Sequence, residues 1–219
     1  GINRGIGIGI DAGGTYTDAV VFDFAGRTVL DKGKALTTKW DYAIGIGQAL
    51  AELDERWFSK IELVSVSTTL ATNAIVEGTG QKTGLLIMPH GAVDVGSFHD
   101  PTAVIPGKMS IGGDEIEAVD AESVISAANE MRSVHGVKAF AVSGYGGSVN
   151  PAHEIEVKRI LVEQTGCDVC CGHEFSGMLD FAIRANTAVL NAGIIPLLER
   201  FLKDVATVLG ERSIGASIM

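Results

Sequence analysis

Bulky and bare positions alternate from the start of the chain. Gly5-Ile-Gly-Ile-Gly-Ile-Asp11 has the period of a strand, with isoleucines on one face and naked backbone on the other. Gly13-Gly14 interrupts it, and Thr15 to Phe24 reads as a returning strand. Arg27 to Thr38 reads as a third, after a turn at Ala25-Gly26. A helix is expected from Asp41, as N-cap, to about Phe58. Then come a strand over Ile61 to Val66, a polar loop at Ser67-Thr68-Thr69 and a helix from Leu70 to about Val76. Gly78-Thr-Gly80 ends that helix, and Thr83 to Met88 is a short buried strand. The opening is β-β-β-α-β-α-β, which implies a mixed sheet whose later members are parallel.

Residues 89–114 are weakly patterned and rich in Gly and Pro, and read as an irregular connector. A second α/β segment follows: helix Ala121 to Val134, strand Val137 to Val142, helix Pro151 to about Gln164, strand Cys167 to Cys171. Asn150-Pro151 is a helix start, with Asn as cap and Pro at the first helical position. A long helix from Ala185 to about Leu209 contains Pro196, where a kink or break is expected. Ser213 to Met219 reads as the beginning of another strand, and the expectation is an N-terminal piece of a longer protein. Three segments are expected: a phosphate-binding subdomain at 1–90, an α/β insertion or second subdomain at 91–184, and at 185–219 a long helix with the start of a missing second lobe.

Composition narrows the classes. Of 219 residues, 46% are hydrophobic and 28 are Gly, while aromatics are only 6%, so packing rests on aliphatic side chains around a sheet. With 17 basic against 27 acidic residues the net charge is −10, which argues against nucleic acid as a partner. A small nucleotide stays compatible, because backbone N–H groups and a divalent metal can hold phosphates on an acidic protein. Apolar runs such as Thr83 to Met88 are too short to cross a bilayer, and no membrane partner is expected. With no apolar leader in view and three clustered cysteines unlike a disulfide framework, a cytoplasmic location is expected.

The richest chemistry lies in Asp11-Ala-Gly-Gly-Thr-Tyr-Thr-Asp18. Two glycines directly after a strand let an anion approach the backbone. Thr15 and Thr17 add hydroxyl donors, and Asp11 can hold Mg²⁺ through water. The bland alternative is a glycine-rich hairpin with no ligand. Gly7 to Ala12 also fits a G-x-G-x-x-A dinucleotide fingerprint, but a strand follows where that motif needs a helix. Gly78-Thr-Gly-Gln-Lys-Thr83 echoes a P-loop, yet Gln81 separates Gly80 from Lys82 and the segment follows a helix.

Cys167, Cys170, Cys171 and His173 resemble metal ligands in spacing, but strand alternation splits the cysteines between two faces; buried free thiols are the favoured reading. His90, His99, His135 and His153 have no paired motif, and Asp114-Glu-Ile-Glu117 reads as a solvated edge.

A glycine loop opening a β-β-β-α unit resembles the first phosphate loop of the actin, hexokinase and Hsp70 superfamily. More narrowly, Asp11 to Asp18 is similar to the D-x-G-G-T-x-T-D signature of the hydantoinase A/oxoprolinase family, and Ser67-Thr-Thr-Leu-Ala-Thr-Asn-Ala-Ile-Val-Glu-Gly78 to its G-T-T-x-A-T-N-A-x-x-E signature. Lys82-Thr83-Gly84, Gly91 with Asp94, Asn150-Pro-x-His-Glu154 and Asn186 to Asn191 extend the similarity. Two departures stand out: Val66-Ser67 replaces the family's His-Gly, and Leu179-Asp180-Phe181 its Arg-Glu-Tyr.

The resemblance implies the N-terminal lobe of an actin-like ATPase with a ribonuclease H-like mixed sheet. It implies an ATP- and Mg²⁺-dependent hydrolase that activates and opens a cyclic amide, inactive as this piece alone. In that scheme Gly13, Gly14, Thr15 and Thr17 bind phosphate and Asp11 is catalytic by orienting Mg²⁺. Thr68, Thr69 and Asn73 face the substrate or γ-phosphate, against the alternative that Thr69 only caps the helix and Asn73 is an ordinary helix residue. Expected partners are a cyclic amide or related carbonyl compound, the missing C-terminal lobe, and a partner subunit or second copy. A non-catalytic ATP-binding regulatory or scaffold subunit, or a carboxylase subunit or kinase-like phosphotransferase of the same fold, is the alternative.

Overall fold

A computed structural model describes residues 5–219. The first strand, β1 (Ile6–Ala12), carries the glycine–isoleucine alternation; Ile8 and Ile10 are buried in a core while Gly7 and Gly9 lie on the opposite face. It is followed by β2 (Tyr16–Asp23), β3 (Thr28–Leu36) and α1 (Tyr42–Ala51). Asp41 caps α1 by accepting from the Ala43 N–H at 3.0 Å. The expected helix to Phe58 is instead two pieces. Asp54 caps a separate 3₁₀ turn, Glu55–Lys60, accepting from the Arg56 N–H, and its own N–H is taken by Asp31. Next come β4 (Ile61–Thr68) and α2 (Leu70–Glu77), which ends on Gly78 at φ 63°, the left-handed conformation a helix C-terminus commonly uses.

The opening follows the order read from the sequence and its sheet is mixed, but strand β5 (Thr83–Met88) pairs in a second sheet and not in the first. All six of its residues are buried, so its sequence has no polar face to show which neighbours it takes. The connector holds more order than expected: β6 (Thr102–Val104) pairs parallel to β5, and β7 (Lys108–Met109) pairs with the exposed β8 (Glu115–Glu117). Then follow α3 (Ala121–Val134), β9 (Ala139–Gly144), α4 (Ala152–Thr165), β10 (Asp168–Cys171) and a single turn, α5 (Gly172–Phe175). Helix α6 (Phe181–Glu211) runs unbroken through Pro196, and β11 (Ser217–Ile218) completes the described chain.

Two compact units result. The first takes the chain up to Gly78 and returns at Leu197–Met219; the second is Thr79–Pro196. Their limits follow strand pairing rather than the expected boundaries at 90 and 184. In the first unit the sheet order is β11-β4-β1-β2-β3, with β1, β2 and β3 antiparallel and both β4 and β11 parallel to their neighbours. Ile8, Ile10, Val21 and Val64 of its inner face pack with Ile46 and Leu50 of α1 and with Phe201, Val205 and Leu209 of α6. In the second unit a parallel sheet, β10-β9-β5-β6, is covered on both faces. Val124, Val157 and Leu161 pack on one face, and Ala185, Ala188 and Ala192 on the other. By length and composition α6 could cross a bilayer, which no short run in the sequence indicated; here one side of it enters these two cores through residues such as Ala185, Ala188, Phe201 and Val205, while Ile183, Leu190 and Leu202 stay exposed.

Candidate functional site

Strands β1 and β4 run parallel and side by side, with Asp11 opposite Ser67 and Ala12 opposite Thr68. Their carboxyl ends, where ligands of open α/β sheets bind, therefore form one corner. There the chain leaves β1 through Gly13-Gly14 and turns back at Thr15 into β2, closed by the Gly13 N–H donating to the Tyr16 carbonyl at 2.9 Å. A Cβ on Gly13 would stand 3.1 Å from that carbonyl oxygen, and one on Gly14 the same distance from Asn73 Nδ2. Neither glycine has a left-handed φ. Close approach, not backbone conformation, is what requires them. Among the described residues, none accepts from the N–H groups of Gly14 and Thr15.

The β4–α2 loop is tied to the same corner by side chains. Ser67 Oγ donates to Asp11 Oδ1 at 2.8 Å, which leaves Oδ2 and the exposed side of the carboxylate facing outward. Thr68 Oγ1 donates to the Ala12 carbonyl at 2.8 Å and accepts from the Leu70 N–H at 3.1 Å. Thr69 occupies the N-cap position without a capping hydrogen bond of its own. Its hydroxyl instead accepts from Asn73 Nδ2 at 3.2 Å, one turn along.

Asp11, Gly13, Gly14, Thr15, Thr68, Thr69 and Asn73 thus converge on one corner of the first unit. Thr17 does not share their exposure. It is 1% exposed, and its hydroxyl pairs with that of Thr37 at 2.9 Å, joining β2 to the end of β3. Strand alternation from Thr15 cannot be carried across, because β2 begins only at Tyr16. Ser67, which the sequence reading passed over as a departure from the family pattern, is the residue that fixes the Asp11 carboxylate. Just outside, Lys34 pairs with Asp18 at 3.2 Å and lies over the Tyr16 ring.

The donor set fits a nucleotide's phosphates with a hydrated Mg²⁺: two unpartnered N–H groups, several hydroxyls and one carboxylate with an outward oxygen. Mg²⁺ prefers one or two carboxylates, retained waters and phosphate oxygens.

The second unit holds a different set of polar groups. Glu154, fully buried in the first turn of α4, accepts from the Gly144 N–H at 2.8 Å through Oε1. Its Oε2 accepts from the His173 N–H at 2.9 Å and from Nδ1 of the same residue at 2.6 Å. Arg184, also fully buried, donates to the carbonyls of Gly144 and Tyr145 with one nitrogen and to those of Met178 and Leu179 with the other. Burial lowers the Arg184 guanidinium from its usual range, an effect that the charges of Glu154 and Asp180 oppose. Burial pushes the Cys171 thiol well above its ordinary range, and Glu174 and Glu154 add to this.

The whole arrangement, a mixed α/β fold with the β3-β2-β1-β4 core of the first sheet, is actin-like. Residues 7–165 match the hydantoinase/oxoprolinase N-terminal region, and the chain belongs to that family. It is 28% identical to caprolactamase subunit alpha of Pseudomonas jessenii over 90% of this chain and 32% of that one. It is 25% identical to the acetophenone carboxylase gamma subunit of Aromatoleum aromaticum over 84% of this chain and 30% of that one. The crystal structure of ATP-dependent caprolactamase from P. jessenii superposes with a TM-score of 0.74 at 26% identity, covering 96% of this chain and 34% of that one. A nucleotide-free acetone carboxylase gives 0.78 at 21% identity, covering 99% and 36%. The chain spans about a third of the length of these relatives.

Proposed function

We propose that this chain is the phosphate-holding part of an ATP-dependent enzyme that activates and opens a cyclic amide. The observation that carries the reading is the pair of unpartnered N–H groups at Gly14 and Thr15, beside the Asp11 carboxylate and the Thr68-Thr69 loop. An unstrained lactam is a poor electrophile. Transfer of the γ-phosphoryl group to its oxygen, with ADP departing, makes the carbon electrophilic; water adds there, the ring nitrogen takes a proton and leaves as the C–N bond breaks, and a second water hydrolyses the resulting acyl phosphate to the open amino acid and inorganic phosphate. In this scheme the Gly14 and Thr15 N–H groups and the Thr15 hydroxyl bind phosphate oxygens as charge shifts between them. Asp11, held by Ser67, orients the waters of a Mg²⁺, which when bound neutralises phosphate charge. Thr69 and Asn73 present donors toward the transferring group, and Thr17 holds β2 and β3 together behind the loop.

Partner chemistry comes from outside these residues: the remainder of a longer chain and a second subunit, as the subunit names of the two relatives support. The test is ATP turnover by the full-length chain with its partner subunit, supplied in turn with a lactam and a hydantoin. Lactam-stimulated ADP release is expected, and no stimulation by either compound would sink the reading. Similarity to a carboxylase subunit favours a second reading, in which a ketone and bicarbonate are the activated compounds. The same assay separates the two by which compounds raise turnover.

A further inference from the structure

Glu154, Cys171 and His173 come from three elements, the first turn of α4, the end of β10 and α5, yet their donor atoms all lie within 4.8 Å of one another. Glu154 and Cys171 are fully buried, while the His173 side chain is 21% exposed and opens the cluster to solvent. Among the described residues, imidazole is the only group in ion-pair contact with the Glu154 carboxylate, since Arg184 spends its hydrogen bonds on backbone carbonyls. A buried carboxylate is costly without a positive partner. The other two cysteines of the run play no part in this convergence.

We propose that this cluster is a binding site for a single borderline divalent transition-metal ion of the Zn²⁺ class. One carboxylate oxygen, one imidazole nitrogen and one thiolate form a mixed set that suits such an ion, with a fourth position left for water on the His173 side. Bonds of about 2.0–2.3 Å put tetrahedral ligands roughly 3.3–3.6 Å apart. The Glu154–His173 contact of 2.6 Å must open and the longer separations must close, shifts on the order of 1 Å that side chains on three short connections can make. Binding is balanced as follows. The protons on His173 Nδ1 and Cys171 Sγ leave the site, the imidazole carrying one on Nε2, and the ion bonds to Nδ1, Sγ and a Glu154 oxygen. The proposal is independent of the nucleotide reading, because no group of the glycine corner takes part.

Titrating this 219-residue chain with Co²⁺ tests it, since a thiolate ligand gives a sulfur-to-cobalt charge-transfer band and tetrahedral geometry gives strong visible absorption. One Co²⁺ per chain with both signatures is expected, reversed by Zn²⁺. Cys171→Ser should remove the charge-transfer band, whereas Cys167→Ser and Cys170→Ser should keep it. Should Cys171→Ser fail to fold, His173→Ala, at a partly exposed position, should weaken Co²⁺ binding at least about tenfold. No charge-transfer band in the unsubstituted protein, a band surviving in Cys171→Ser, or undiminished affinity in His173→Ala would overturn the proposal. The cluster would then be a carboxylate–imidazole pair holding the Gly144 turn.

Discussion

Each unit has a glycine-rich turn where a parallel strand ends, and the two turns are finished in opposite ways. In the second unit, Gly144-Tyr-Gly-Gly147 starts on the last residue of β9 and is largely closed upon itself. The Gly147 N–H reaches the Gly144 carbonyl, the Val149 and Asn150 N–H groups share the Gly146 carbonyl, and Tyr145 donates to Met88. Glu154 accepts from the Gly144 N–H and Arg184 donates to the Gly144 and Tyr145 carbonyls, while among the described residues none accepts from the N–H of the buried Gly146. In the first unit, Gly13-Gly14 follows β1 with a single internal closure, and the next two N–H groups stay unpartnered. Glycine content does not separate a binding loop from a structural turn; the first turn differs in having two adjacent open donors at the surface, where the second has one in a buried residue.

That comparison can be broken most forcefully in the second unit. Arg184→Ala leaves four carbonyls, that of Gly144 buried, without their donor and opens a cavity, and should cost about 3–5 kcal/mol. Urea unfolding should show it, with amide exchange accelerated in β9. Less damaging to the fold, Gly14→Val in the first unit pushes against Asn73 and fills the space before the open N–H groups. ATP affinity should fall at least about tenfold, about 1.4 kcal/mol, by calorimetry. A variant that binds ATP unchanged would remove the glycine corner from the mechanism.

Thr17→Val asks whether burial has taken Thr17 out of ligand binding. Leaving the Thr37 hydroxyl unpaired should lower stability by about 1 kcal/mol, while ATP affinity changes by less than about twofold. The smallest effect concerns Lys158 and Glu174. Burial alone would raise the Glu174 carboxyl, but the Cys171 N–H and Lys158 outweigh it and hold it below the ordinary range. Burial likewise opposes the Lys158 charge, and Glu174 overcomes it, so Lys158 is raised.

A depressed carboxylate contributes stability above its unfolded value, about 4.3, and loses it as pH falls through the lower folded value. A raised ammonium keeps its contribution below about 10.4 and loses it only as pH climbs through the higher folded value. Unfolding midpoints measured against pH should therefore fall at both extremes, and Glu174→Gln should flatten both limbs by under about 1 kcal/mol, given partial exposure of the pair.

Local signals were the legible ones. The Gly–Ile alternation of β1, the hairpin at Gly13-Gly14 and the Asp41 cap each show within a few residues, and the corner at Asp11 and Thr68 follows from them. The place of β5 was not legible, because six uniformly buried residues have no face to read. The break before Asp54 rests on a carboxylate at Asp31, 23 residues away, taking the Asp54 N–H. Thr17 looked like a partner of Thr15 because alternation was extended through a turn. Glu154 meets His173 only because α4 packs beside β10 and β9, and spacing along the chain carries no trace of that.

The Thr68 hydroxyl accepts from the first turn of α2 and donates to the last carbonyl of β1 with one oxygen atom. Two segments that are 56 residues apart along the chain are thereby joined through one oxygen at this point. Loss of that one hydroxyl would therefore free both the carbonyl that ends β1 and the N–H that opens α2.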